Sequence, residues 1–163
     1  MSSRLLIPLV YVFFLMATCK TDCDKGDKQA CCSAFDISKI EEQINKSNET
    51  YVDRFFIADS TKFSQYYTKT ANVYPDGYKR LSGIGEIHKF FYNDGKNGQM
   101  KMKLTTDLLH GSQDAVIEEG FYSIKSTDDK ELDKGKFIAI WKEEDGVWKV
   151  QSEIWNSDTP RAQ

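Results

Sequence analysis

The sequence predicts an α+β domain of three N-terminal helices followed by a curved antiparallel sheet. Three observations carry this. Helical periodicity is confined to the chain before Tyr92, and four strand-like runs follow, an order typical of α+β folds. The chain closes on a hairpin pattern, with β-branched and aromatic runs on either side of Asp145-Gly146. Aromatics make up 13% of the residues, with ten Phe and eight Tyr, which favours a sheet with a large apolar interior over a helical bundle.

Asp36 or Ser38 can cap the first helix, and Ser38-Lys39-Ile40-Glu41 fits a capping box. The helix is predicted over residues 37–57, where Ile37, Ile40, Ile44, Tyr51 and Phe55 share a face that Asn48 interrupts. Asp59 and Ser60 can cap a short second helix carrying Phe63, Tyr66 and Tyr67. A short strand, Ala71 to Tyr74, stops at the turn Pro75-Asp76-Gly77 and is expected at the sheet edge. Ser82 caps a third helix with Ile84, Ile87 and Phe91 on one face. Strands are predicted at 99–109, 115–125, 136–143 and 147–156, joined by turns at 110–114, 126–135 and 144–146. Along the last strand, strict alternation puts Trp148, Val150, Ser152 and Ile154 on one face. Lys149, Gln151, Glu153 and Trp155 take the other.

Residues 1–18 read as an address. Arg4 is a short basic region, and Leu5 to Ala17 is an apolar stretch of 13 residues, short of the roughly 20 that a spanning helix needs. Leu15-Met16-Ala17-Thr18-Cys19 looks like a bacterial lipobox, with Met16 and Thr18 departing from its usual residues. The expectation is a lipid on Cys19 and a place in the bacterial cell envelope, anchored to a membrane; the alternative is a plain secretory signal and a secreted or periplasmic protein. Residues 19–35 are charged and aperiodic, a flexible tether, followed by the domain at 36–159 and a tail at 160–163. All four cysteines precede the domain. With Cys19 lipidated, Cys23 is expected to pair with Cys31 or Cys32 in an oxidising compartment.

Lys and Arg total 22 against 25 Asp and Glu, and no basic run exceeds two residues, so no nucleic-acid partner is expected. His88 and His110 are far apart, and no metal spacing, phosphate loop or nucleophile elbow is present; neither a metal nor another cofactor is expected. Three segments carry a resemblance: Gly83-Ile84-Gly85-Glu86-Ile87-His88-Lys89-Phe90-Phe91, Glu118-Glu119-Gly120-Phe121-Tyr122, and the final hairpin with Asp-Gly-x-Trp-Lys-Val and Ile-Trp-Asn-Ser. Over about residues 37–159 the chain resembles the nuclear transport factor 2-like superfamily, which includes ketosteroid isomerases and SnoaL-like proteins. The likeness is greatest to an uncharacterised branch found in bacterial envelope lipoproteins. It implies a cone with a pocket between sheet and helices, a small-molecule ligand and a homodimer. It does not name a substrate, because this fold hosts many activities.

The resemblance also implies site residues. Tyr51 matches the tyrosine that donates to the substrate oxyanion in the isomerases; otherwise it is a core aromatic. Glu153 and Trp155 match pocket-lining positions, and a glutamate facing an apolar cone would have a raised pKa. Otherwise Glu153 faces solvent or pairs with a lysine. Of the neighbours Glu118 and Glu119, one must face the concave side, where it would pair with Glu153 or join a structural network. Phe55, Tyr74 and Glu119 are expected to line the pocket with Trp155. The isomerase base position reads Tyr74-Pro75-Asp76, so only a shifted Asp76 can serve there, and the strand 136–143 lacks the second acid. These gaps favour a binding module for a small, largely apolar molecule. The alternatives are an isomerase, dehydratase or hydrolase using Tyr51, Asp76 and a pocket glutamate, or a dimeric structural module.

Overall fold

Asp36 opens the first helix, α1 (Ile37–Phe55): its Oδ1 accepts the Ser38 N–H at 3.1 Å, so Asp36 rather than Ser38 is the cap. The structure, a computed structural model, describes residues 35–55, 60–95 and 100–160, with the side chains of 52–62 and 93–99 outside that description. The expected signal segment, Cys19, the other cysteines, the tether to residue 34 and the side chain of Phe55 therefore lie outside the described residues. Ile40, Ile44, Asn48 and Tyr51 form the buried face of α1. A short helix, α2 (Ser60–Tyr66), leads directly into β1 (Tyr67–Tyr74), so Tyr67 begins a strand instead of ending a helix. The two-residue β2 (Leu81–Ser82) pairs antiparallel with β1. At α3 (Ile84–Gly95) the capping group is Glu86, whose carboxylate accepts the Ser82 N–H at 3.0 Å; the Ser82 hydroxyl donates to Asn72 instead.

Four long strands follow: β3 (Met100–Ser112), β4 (Ala115–Ser126), β5 (Glu131–Glu144) and β6 (Val147–Ser157). The sheet order is β2-β1-β6-β5-β4-β3, and the fold is α+β with a curved, open sheet. Contrary to the expected all-antiparallel sheet, it is mixed, because β1 runs parallel to β6. A parallel pair needs a long crossover, and the chain supplies one through α3 and the three strands before β6. Strand β5 begins five residues before its predicted start, because the turn before it is tight. The Ser126 N–H donates to the Lys130 carbonyl at 2.9 Å, and Asp129 takes φ +64°. The final hairpin is as read: Asp145 and Gly146 both have positive φ, 57° and 77°, the pattern of a type I′ turn.

The strict alternation expected along β6 fails at Gln151. Ile140 faces Ser152 and Trp141 faces Val150, leaving Gln151 as the extra residue of a β-bulge. Its side chain is held by β1, accepting from the Thr68 hydroxyl at 3.0 Å and donating to the Thr70 carbonyl at 3.2 Å. The bulge shifts parity, so Trp148 and Val150 before it and Glu153 and Trp155 after it all turn to the helix-covered face. The expectation that Trp148 and Trp155 occupy opposite faces is thereby overturned. The outer face instead shows Tyr74, Phe121, Ile138 and Ile154, each roughly half exposed. Deleting Gln151 should restore alternation and turn Glu153 and Trp155 outward. The variant is expected to lose at least about 3 kcal/mol in urea denaturation, through lost packing of Trp155 and misplaced polar groups. Wild-type stability and tryptophan emission in the variant would refute the role given to the bulge.

Candidate functional site

Between the helices and the concave face of the sheet lies a cavity of about 140 Å³. Its apolar wall comes from Phe91 on α3, Met102 and Leu104 on β3, Ile124 on β4, Phe137 on β5 and Trp155 on β6. Its polar wall comes from Tyr51 on α1, Tyr122 on β4, Asp133 on β5 and Glu153 on β6. Trp155 stacks on Phe91 with centroids 5.8 Å apart, which fixes the indole as one side of the space.

Glu153 is 7% exposed. Its Oε2 accepts the Tyr67 hydroxyl at 2.7 Å, and the Tyr67 and Tyr51 hydroxyls lie 3.2 Å apart. The three groups form a buried chain from α1 through β1 to β6. Burial raises the Glu153 carboxyl to about 7; the Tyr67 bond opposes this rise and the charge of Glu118 adds to it. Burial, and then the Glu153 charge, push both tyrosine hydroxyls well above their ordinary value. Glu153 thus changes protonation near neutral pH.

A second tyrosine–acid pair lies on the same cavity. The Tyr122 hydroxyl donates to Asp133 Oδ2 at 2.9 Å, while Ser157 and Thr159 donate to Oδ1 at 2.5 and 3.2 Å. Burial and the bond to Asp133 raise the Tyr122 hydroxyl beyond the usual phenol range. Gly135, opposite Tyr122, makes this placement possible: a Cβ there would meet the Tyr122 Oη at 2.8 Å and the Asn156 carbonyl at 2.1 Å.

Behind the cavity, Glu118 is fully buried. Its carboxylate accepts from Asn48 Nδ2 at 2.7 Å, the Thr106 hydroxyl at 2.6 Å and Trp141 Nε1 at 2.8 Å. Burial raises its pKa against these three bonds. Asn48 also accepts the Tyr66 hydroxyl at 3.0 Å. Glu118 does not line the cavity; it is occupied in joining elements.

The structure brings Tyr51, Glu153 and Trp155 to one cavity. It does not bring Glu119, Tyr74 or Asp76 there. Glu119 has the opposite parity to Glu118 and sits on the outer face, with Tyr74 in the same cross-strand row through Ile138 and Ile154. Asp76 stays in its turn, accepting the Ser157 N–H at 3.3 Å. Phe55 lies outside the described side chains. Sequence reasoning missed Tyr67, Tyr122, Asp133 and Asn48. Asp133 falls in an expected turn and Tyr67 on an expected helix, while Asn48, expected only to interrupt the apolar face of α1, is 6% exposed. Its break in an otherwise apolar stripe was the one readable sign of Asn48. His88 has its Nε2 buried beside Phe63, without a hydrogen-bond partner among the described residues.

No family model matches the sequence, and no curated protein matches it. Solved structures do. A proposed dehydratase of the nuclear transport factor 2-like family from Streptomyces avermitilis superposes with a TM-score of 0.63 at 16% identity, over 77% of this chain and 100% of that one. A nuclear transport factor 2-like superfamily protein from Salmonella enterica gives 0.61 at 16% identity, over 78% and 96%. A protein of unknown function from Mycobacterium tuberculosis gives 0.66 at 15% identity, over 75% and 74%. The fold is that of the nuclear transport factor 2-like proteins. At such identities the likeness reaches the backbone and not the site. In this domain the acids are judged from their own surroundings.

Glu153 carries a pH prediction. It holds its proton more tightly folded than unfolded, so its favourable contribution is complete below the unfolded carboxyl range and is lost as pH rises through about 7. The loss is on the order of 3 kcal/mol. The raised Glu118 acts in the same direction. The protein should be less stable at pH 8 than at pH 5, and Glu153→Gln, which keeps an acceptor for Tyr67, should flatten that difference. Urea unfolding of both proteins at the two pH values decides it; parallel pH slopes would remove Glu153 from this role.

Proposed function

We propose that the domain binds a small, largely apolar molecule bearing one hydrogen-bonding group, and that it does so from a lipid anchor at Cys19 in the bacterial envelope. The observation that carries the binding reading is the cavity itself, with an apolar wall facing a polar one that holds the otherwise buried Glu153 carboxyl. Its volume of about 140 Å³ limits the occupant. An apolar cavity of about 150 Å³ takes a single benzene ring. A compact ring or short branched chain fits, with its polar group toward Glu153 and Tyr51. Cyclopentanol should shift the NMR signals of the Trp155 indole, Phe91 and Met102 at millimolar concentration. Failure of cyclopentanol to perturb any of them would count against a ligand site.

A second reading is acid–base catalysis, in which Glu153 exchanges a proton with a bound carbonyl or alcohol. One observation favours it: a carboxyl raised to about 7 stands beside a tyrosine pair, and a second acid, Asp133, lines the same space. Asp133 supplies an acid on the strand where none was expected, so the reading no longer needs Asp76.

The anchor rests on the Leu15–Cys19 pattern, and pairing of two copies rests on the apolar residues of the outer face. Intact mass of membrane-extracted protein should show a diacylated or triacylated Cys19 at the mature N-terminus, and sedimentation should show a dimer at micromolar concentration. An unmodified soluble monomer would dispose of both.

A further inference from the structure

We propose that the cavity selects a small organic cation, a primary or substituted ammonium on a compact apolar body, over neutral and anionic molecules of equal size. The proposal rests on the reading of this cavity as a ligand site and adds the charge of its occupant.

The first observation is the sign of the charges on the wall. Two carboxyls, Asp133 and Glu153, line the space, and no Lys, Arg or His is among the described residues that do. Glu118 stands behind the same wall and is felt electrostatically by Glu153. An anion would add a like charge to this set and is disfavoured; a monocation removes one excess negative charge.

The second observation is an open acceptor. Glu153 is 7% exposed, and Tyr67 occupies its Oε2. Its Oε1 has no hydrogen-bond partner among the described residues. It faces the cavity, where it can accept from a donor brought by the ligand. An ammonium group brings donors and no acceptor, so it does not leave a lone pair facing the carboxyls.

The third observation is the remaining wall. Tyr51, Phe91, Phe137 and Trp155 present aromatic rings to the same space. Ring faces attract a desolvated cation, with Trp the strongest. Apolar substituents of the same cation gain contact with these rings. One site thus offers a counter-charge, a free acceptor and a π surface, which an alcohol uses only in part and a carboxylate not at all.

A pH dependence follows. The ionisable groups around Glu153 are Tyr67 from β1, Tyr51 from α1, Glu118 from β4 and, lining the same cavity, Tyr122 from β4 and Asp133 from β5. Its neighbours from α3 and β3 in the cavity are the uncharged Phe91, Met102 and Leu104. The cation requires ionised Glu153, which titrates at about 7. Ammonium affinity should be level above that value and fall about tenfold per pH unit below it.

The test titrates the full chain with three probes of six heavy atoms, cyclopentylammonium, cyclopentanol and isobutyrate, following the Trp155 indole signal by NMR at pH 5 to 8. Cyclopentylammonium is expected to bind at least about tenfold more tightly than cyclopentanol at pH 8, with that preference lost by pH 5 and no binding of isobutyrate. Glu153→Gln should reduce the preference, read as the ratio of the ammonium and alcohol affinities, below about threefold. If that variant does not fold, Asp133→Asn is read the same way. Cyclopentanol or isobutyrate binding as tightly as the ammonium at pH 8, or a variant with undiminished preference, would overturn the inference and leave the ligand site standing. Failure of all three probes to move the indole signal would overturn the site and the inference together.

Discussion

The carboxylate of Glu118 is the interaction on which the rest of the arrangement hangs. A buried carboxylate is costly unless donors surround it, and here three do, from α1, β3 and β5, while Glu118 itself belongs to β4. Asn48 extends the network to α2 by accepting from Tyr66, whose ring meets Trp141 edge-on at 5.4 Å. Hydrophobic packing alone would allow α1 to rotate or slide on the sheet with little loss. The directional bonds of Asn48 do not. Tyr51 lies three residues further on, on the same helical face, so fixing Asn48 also fixes where the Tyr51 hydroxyl meets Tyr67. The polar chain that ends on Glu153 therefore inherits its geometry from a carboxylate that never touches the cavity.

The bulge at Gln151 is the second constraint, and it acts on the opposite wall. A regular β6 that buries Trp148 and Val150 must expose Glu153 and Trp155, because side chains alternate. One extra residue resolves the conflict. The same strand then packs two apolar residues into the core at one end and presents an acid and an indole to the cavity at the other. The hydrogen bonds from Gln151 to Thr68 and Thr70 hold the bulge against β1, where the parallel ladder also shifts register. Tyr67 lies at the start of that irregular stretch, which brings its hydroxyl to Glu153.

Local chemistry was legible in the sequence; parity and distance were not. The Asp145-Gly146 turn, the helical stripes and the four-strand meander each follow from a few neighbouring residues, and the structure contains them all. Whether Glu118 or Glu119 faces inward depends on the pairing register with β5, which no local pattern fixes. A bulge leaves only a polar residue out of phase, which is indistinguishable from an ordinary exposed glutamine. Asp133 lies in a charged run, Asp128 to Lys136, that reads as a loop because its strand is stabilised by neighbours rather than by its own apolar residues. Glu153 and Trp155 line the cavity, but the alternation offered for them puts Trp148 and Val150 on the wrong side.

The cone of this fold does not determine the size of the ligand; the aromatic filling does. Phe63, Tyr66, Tyr67 and Phe91 pack ring against ring beneath the helices, with Tyr51 and Tyr66 centroids 4.3 Å apart and Phe63 and Tyr67 stacked at 5.5 Å. They occupy space that a drug-sized pocket, at roughly 300–1,000 Å³, would leave open. The remaining volume of about 140 Å³ excludes multi-ring substrates unless the rings move apart. Moving them would also break the Tyr51–Tyr67–Glu153 chain, since two of its three members belong to the packed set. Size and chemistry are therefore set by the same side chains. The tyrosines that narrow the cavity also complete the polar environment of the Glu153 carboxyl, which titrates at about 7.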